Sequence, residues 1–281
     1  MSVVQAVVLA IVQGVTEFLP ISSSGHLILT SWLFGWPDQG LVFDGAVHVG
    51  TLGAVLIYFR REWWSLCRGS VVGGTVVVGA QGGGDAISIS ARRLLGFIAV
   101  ATVPLVIAGL LLKDFLEDEV RSPEIVGGLL IVTAAVLWLA EVAGRRVRAP
   151  ASGAVGWRSS ALVGVAQAVA VLPGISRAGT TISAGMALGM SRELAARFSF
   201  LLAVPAIAGA GLFLIVDAIA QESLDGRGWG LVALGIAISF VVGYAAIAGL
   251  LRLLRRRGFT PIIAYMVVSG VAVLAARAAG A

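Results

Sequence analysis

In two places the chain begins an apolar helical arm, breaks it with proline, glycine and polar residues, and then resumes. Val3–Phe18 and Leu27–Phe34 flank the break at Pro20–Gly25, and Ala161–Leu172 and Ile182–Met190 flank the break at Pro173–Gly179. A bilayer core needs about 20 apolar residues per helix, so none of these arms crosses alone. Backbone that leaves the helix inside hydrocarbon is tolerated only where it is buried in protein or lines a cavity. A pair of interrupted arms therefore predicts two re-entrant helical hairpins with polar tips at membrane depth.

The rest of the chain fits that reading. Hydrophobic residues make up 58% of the sequence and charged residues 12%, far from the balance of a soluble domain. Leu41–Phe59, Leu94–Leu112, Ile125–Leu139, Phe198–Val216, Leu231–Leu251 and Pro261–Ala279 read as six spanning helices. Val71–Ala80 is short and runs into Gln-Gly-Gly-Gly, so it reads as interfacial or irregular. The expected fold class is an all-α polytopic membrane protein with six transmembrane helices and two re-entrant hairpins. The first positive charge is Arg60, so no basic leader is expected ahead of the first apolar arm. Cys67 is the only cysteine, which excludes an intrachain disulfide and a cysteine metal site; it is expected to fill space beside Trp64. Trp63 and Trp64, next to Arg60 and Arg61, read as interfacial anchors.

A pI of about 10.3 does not argue for nucleic acid, because the basic residues cluster at the ends of apolar stretches. With this parity of spans, Arg60, Arg61, Arg68, Arg92, Arg93, Arg145, Arg146, Arg148, Arg158, Arg192, Arg197, Arg252 and Arg255–Arg257 fall on one face. Lys113, Arg121, Arg227 and Arg277 fall on the other, with Asp38, Asp114, Glu117, Asp118, Glu119, Asp217, Glu222 and Asp225. Such asymmetry places the arginine-rich face in the cytoplasm and both termini outside. At an offset of 154 residues, Gln13 meets Gln167, Ile21 meets Ile175, Ser22 meets Ser176 and Gly25 meets Gly179. The chain then divides into repeat 1 (residues 1–143, hairpin 3–34), a linker (144–157) and repeat 2 (158–281, hairpin 161–190). Three crossings invert the second copy, so the two tips enter from opposite sides and can meet.

The tips carry the residues able to do chemistry. Gln13 and Glu17 share a helical face, and their oxygens suit a hard cation such as Mg²⁺ or Ca²⁺; a hydrogen-bonded pair that closes the hairpin is the alternative. Ser22, Ser23 and Ser24 precede a helical arm, and an N-cap accounts for one serine of the three. His26 lies three residues beyond Ser23, in reach as general base or nitrogen nucleophile, or simply as a packed hydrogen-bonder. Ser176, Arg177, Gly179, Thr180 and Thr181 open the second returning arm, where free N–H groups and a guanidinium fork bind anions. For Arg177 the alternative is an ion pair with Glu17. Gly25 and Gly179 let backbone approach a ligand. Asp44 and His48 sit at the outer end of a span: Asp44 can border the entrance, and His48 reads as a packed hydrogen-bonder. The constellation points to a phosphorylated substrate.

These residues closely resemble the undecaprenyl-diphosphate phosphatase family, also called bacitracin resistance proteins. The likeness runs from Gln13-x-x-x-Glu17 into Leu19-Pro-Ile-Ser-Ser-Ser-Gly-His26, through Pro173-Gly-Ile-Ser-Arg-Ala-Gly-Thr-Thr181, to Phe198–Pro205. One departure is Ala178, where serine is common; Gln13 is the amide variant of a first motif that takes Glu or Gln at that position. The resemblance implies hydrolysis of a C55 polyprenyl diphosphate to its monophosphate and inorganic phosphate, which recycles the carrier for envelope polymers and gives bacitracin resistance. It also implies a divalent cation, an inverted-repeat fold in the bacterial plasma membrane, a site open to the periplasmic side, and room for a homodimer. Carried over, Glu17 with Gln13 holds the cation or orients the attacking group, Ser23 attacks or positions water, and His26 shuttles the proton. Arg177, Ser176 and Thr181 bind the diphosphate. A lipid transporter or flippase on the same plan is the alternative, and a scaffold without activity a third.

Overall fold

The computed structural model describes residues 1–37, 39–79, 86–112, 120–144, 155–220 and 226–280, with side chains of residues 41, 210 and 212–220 left aside. Lys113, Arg145, Arg146, Arg148, Asp38, Asp114, Glu117, Asp118, Glu119, Glu222, Asp225 and most of the linker 144–157 lie outside the described residues, as does the side chain of Asp217.

The chain is helical, with helices α1 (Val3–Thr16), α2 (Ser23–Leu33), α3 (Leu41–Tyr58), α4 (Arg60–Val72), α5 (Ala91–Leu111) and α6 (Pro123–Gly144) in its first half. The second half holds α7 (Trp157–Val169), α8 (Arg177–Ala187), α9 (Arg192–Ala220), α10 (Gly226–Arg256) and α11 (Thr260–Ala278). Helices α5, α6, α10 and α11 are each long and apolar enough to cross a membrane. With the α3–α4 pair, which bends by 76° at Phe59, they make a multi-pass membrane protein. Both short-arm pairs are present, α1 with α2 and α7 with α8. The first breaks at Pro20 and Ser22 and the second at Pro173, Gly174 and Ser176, residues that withhold helical propensity.

The expectation of an all-α chain is corrected by an antiparallel β-hairpin, β1 (Thr75–Gly79) with β2 (Ala86–Ser90), in the register Thr75↔Ser90 through Gly79↔Ala86. Reading Val71–Ala80 as one irregular segment merged two structures, the end of α4 and β1; Ala80 lies outside the described residues. The β-branched run Thr75-Val-Val-Val favours a pleated strand. Val76, Val78 and Ile87 turn inward onto the main core, which includes Leu66 and Ala91. Cys67, expected to fill space, is exposed on α4.

Close packing between the halves positions the tips. Helix α1 lies against α10 and α7 against α5. Gly14 allows the first approach, because a Cβ there would fall 2.7 Å from the Cβ of Val242. Gly164 allows the second, with a Cβ 2.8 Å from the Ala101 backbone. Beneath the first tip, Phe18 meets Phe200 edge-on at 5.5 Å, and Phe59 follows at 5.9 Å from Phe200, closing the bundle interior. The helix ends sort by charge. At one end Arg192 pairs with Glu141, Arg197 with Glu62 and Glu193, and Arg255 with Glu193. At the other, Arg121 pairs with Asp44 and Arg277 with Glu124.

Candidate active site

The first break leaves α1 at Glu17 and restarts the helix at Ser23, with Ser22 as N-cap at φ +68°, the one positive φ outside glycine among the described residues. Strain of this kind persists only where the surroundings hold it. Here the Ser22 hydroxyl accepts from the N–H of Gly25 at 3.4 Å and from the N–H of Gly174, in the opposite tip, at 3.1 Å. Gly174 takes φ +100°, and a Cβ there would meet Leu129 at 2.8 Å, so only glycine lets this tip press against both α6 and Ser22. Ser176 caps α8 by accepting from the N–H of Gly179 at 3.0 Å. The N-termini of α2 and α8 therefore arrive side by side, each with free N–H groups and positive potential.

Between them lies a cavity of about 240 Å³. Its polar wall is Glu17, Ser22–Ser24, Ser176 and Arg177, completed by Asp44 and His48 from α3. The opposite wall is apolar, with Leu105 from α5 and Ala206 and Ile207 from α9. Glu17 is the hub. One of its oxygens takes Arg177 at 2.6 Å. The other accepts from the Ser23 hydroxyl at 2.5 Å and the Gln13 amide at 3.0 Å, with His48 Nε2 3.5 Å away. The second guanidinium nitrogen of Arg177 is buried without a hydrogen-bond partner among the described residues. One arm of the fork thus secures Glu17 while the other is unspent beside the cavity, which suits an anion's oxygen.

Not every sequence candidate reaches the cavity. His26 turns away: its Nδ1 donates to the Ser22 carbonyl at 2.8 Å, and its Nε2 accepts from the Tyr265 hydroxyl at 2.8 Å across stacked rings. Both nitrogens are engaged, one within the tip and the other holding it to α11. The Thr180 and Thr181 hydroxyls bond back to the Arg177 carbonyl, and Thr181 also meets Ser199. Gly25 and Gly179 allow close packing: a Cβ on Gly25 would be 3.0 Å from Val126, and one on Gly179 2.9 Å from Thr133. Three further residues line or brace the site. His48 donates from Nδ1 to the Asp44 carbonyl at 2.7 Å, which leaves Nε2 facing Glu17. Asp44 lines the wall and accepts from Gln39 at 2.7 Å. Thr133 on α6 accepts from the Ser176 N–H at 3.4 Å, bracing the second tip. For Asp44 and His48 the signal was present, as two polar residues one helical turn apart in an apolar span.

At the pair expected to hold a cation, Gln13 Oε1 is buried without a hydrogen-bond partner among the described residues, while the other donors are engaged. Gln13 gives Glu17 a nitrogen, not a parallel oxygen, and both Glu17 oxygens already face donors. No cluster of three or more His, Cys, Asp or Glu suited to a metal occurs among the described residues.

Residues 6–272 match the family model described as bacitracin resistance protein BacA. The chain belongs to the bacitracin resistance protein family. It is 45% identical over 276 residues to the undecaprenyl-diphosphatase of Alcanivorax borkumensis, covering 96% of this chain and 97% of that protein. It is 44% identical over 279 residues to the undecaprenyl-diphosphatase of Colwellia psychrerythraea, covering 98% of both chains. A relative of the same name in Nocardioides is 42% identical over 276 residues, at 98% and 97% coverage. The family match takes in both hairpins but for the first three residues of α1, and every residue of the cavity wall.

Proposed function

We propose that the protein hydrolyses undecaprenyl diphosphate to undecaprenyl phosphate and inorganic phosphate, returning the lipid carrier to envelope synthesis and so giving bacitracin resistance. The observation that carries this reading is the Glu17–Ser23–Arg177 contact, built from two hairpins and set between two helix N-termini. The names of the relatives agree with it. The diphosphate sits between the N-termini of α2 and α8 and on the unspent nitrogen of Arg177, and the first isoprene units lie on the wall of Leu105, Ala206 and Ile207. The Ser23 hydroxyl passes its proton to Glu17 as its oxygen attacks the terminal phosphorus. The bond to the bridging oxygen breaks, and undecaprenyl phosphate leaves. Glu17 hands its proton to the departing undecaprenyl phosphate, then takes one from the water that attacks the phosphoserine and returns it to the Ser23 oxygen as inorganic phosphate leaves. Arg177, Ser176 and the backbone N–H groups stabilise charge spread over the equatorial oxygens. His48, on the same wall, is the imidazole within reach of this proton traffic, while His26 fixes the tip. A divalent cation, if bound, would be held by Glu17 and the unpartnered Gln13 oxygen and would offset charge on the diphosphate.

The same reading takes the chain as six spans with two re-entrant hairpins, in an inverted repeat of residues 1–143 and 158–281. Support comes from the matching contacts of α1 with α10 and α7 with α5. It lies in the bacterial plasma membrane with the arginine-rich end in the cytoplasm and the cavity opening to the periplasmic side. The test is phosphate release from a polyprenyl diphosphate by purified protein, with and without Mg²⁺ or Ca²⁺, comparing wild type with Glu17→Ala and Arg177→Ala. Release by wild type that both substitutions abolish is expected. Vectorial movement of lipid without hydrolysis would replace the phosphatase by a transporter.

A further inference from the structure

A second polar pocket, of about 330 Å³, lies at the arginine-rich end of the bundle. Arg60, Arg61 and Glu62 reach it from the α3–α4 corner, Arg197 from α9 and Arg255 from α10. Tyr58 and Tyr244, with rings 5.3 Å apart, form a further wall. Ten residues of α3 separate Tyr58 from His48, a distance of about 15 Å along the helix, so this pocket is distinct from the Glu17 cavity.

Its charge is out of balance. Four arginines face Glu62 within the pocket and Glu193 beside it, leaving two positive charges in surplus. Arg197 is nearly buried: it donates to Glu193 at 3.2 Å, lies 3.5 Å from Glu62 and stands over the Phe59 ring. Both carboxylates are therefore largely committed to it. Arg255 reaches Glu193 only at 3.6 Å, Arg60 donates to the Ile57 carbonyl, and Arg61 has no acidic partner among the described residues. Grouped arginines repel unless an anion joins them, and guanidinium forks with tyrosine hydroxyls match phosphate oxygens.

The depth of the pocket selects the source of that phosphate. Helix α4 leaves α3 at 76° and carries Trp64, 69% exposed, at the pocket's edge. Tryptophan beside arginine marks the headgroup layer of a bilayer. A separate open hollow over Arg60, Arg61, Trp64 and Ser65 adjoins the pocket at the two shared arginines, room for a lipid's glycerol and chains along α4. We propose that this pocket binds the phosphodiester headgroup of an anionic glycerophospholipid, a site independent of hydrolysis. Basic pockets between helices on the cytoplasmic side are suited to such lipids.

The test uses full-length protein, delipidated in detergent and then offered phosphatidylglycerol, phosphatidylcholine or inorganic phosphate, with retained ligand read by native mass spectrometry. Wild type is expected to retain phosphatidylglycerol in preference to phosphatidylcholine. Arg61→Ala with Arg255→Ala weakens that retention roughly thirtyfold, two arginines each contributing about fivefold. Arg61→Lys with Arg255→Lys keeps most of the charge and most of the binding, and exposed Arg61→Ala alone gives a partial loss in a fully folded protein. Unchanged phosphatidylglycerol retention in the double alanine variant overturns the proposal. So does inorganic phosphate binding the same arginines as tightly as the lipid, which would assign the pocket to a free anion.

Discussion

At the scale of single residues, Glu17 is held by more interactions than any other ionisable group at the hairpin tips, and its neighbours divide by task. Glu17→Gln keeps the shape but removes the charge that accepts from Ser23 and Arg177, so phosphate release should fall at least about a hundredfold. Unchanged turnover in that variant would separate Glu17 from the chemistry. Glu17→Ala should in addition destabilise the fold by about 3–5 kcal/mol, because Arg177 is left buried without its partner; a thermal melt reads this. The two histidines should separate cleanly. His48→Ala is expected to lower kcat about ten- to a hundredfold with little change in Tm. His26→Phe should lower Tm more than kcat by breaking the Ser22 and Tyr265 contacts, and a reversal of that pattern would return His26 to the proton path. The sequence motif named His26 because it stands beside the serines. Sequence adjacency says nothing of which way a ring turns, and the partner that decides it, Tyr265, lies 239 residues away.

At the scale of elements, the interrupted arms were readable because their cause is local: proline and glycine in an apolar run too short to span. The pairing of the two tips was readable only as a topological consequence of inversion. Its details, the Ser22 hydroxyl on the Gly174 N–H and Thr133 against Ser176, depend on three elements meeting. The β-hairpin was missed because a β-branched pair of short strands and an irregular apolar stretch share a composition, and periodicity over five residues is a weak signal. Gly174→Ala should cost about 1–3 kcal/mol, since the new Cβ meets Leu129 and the backbone sits at a positive φ. Its Tm should drop while the helical circular dichroism at low temperature persists. A neutral Gly174→Ala would show that the tip has slack which the geometry denies.

At the scale of the whole molecule, charge sorted along the bundle is the property that the sequence conveyed most directly. Arginine clusters are local facts, and the membrane converts them into an orientation. Cys67 offers a test without altering the protein, because it is the only cysteine and is exposed on α4 near the arginine-rich end. A maleimide that cannot cross membranes should leave Cys67 unlabelled in intact cells and label it in inside-out vesicles. A cysteine placed at Ser2 in a Cys67→Ser background should give the opposite result. Labelling of Cys67 from outside would invert the orientation and close the cavity to extracellular diphosphate.

The contact from Gly174 to Ser22 has a consequence for how the protein comes into being. The strained serine has no backbone donor from the opposite tip to hold until residues far downstream have left the ribosome, so a truncated nascent chain carries no working pocket and cannot cleave lipid prematurely. Two separately translated halves, divided near residue 150, should each be inert and regain turnover only when they are inserted together in the same bilayer.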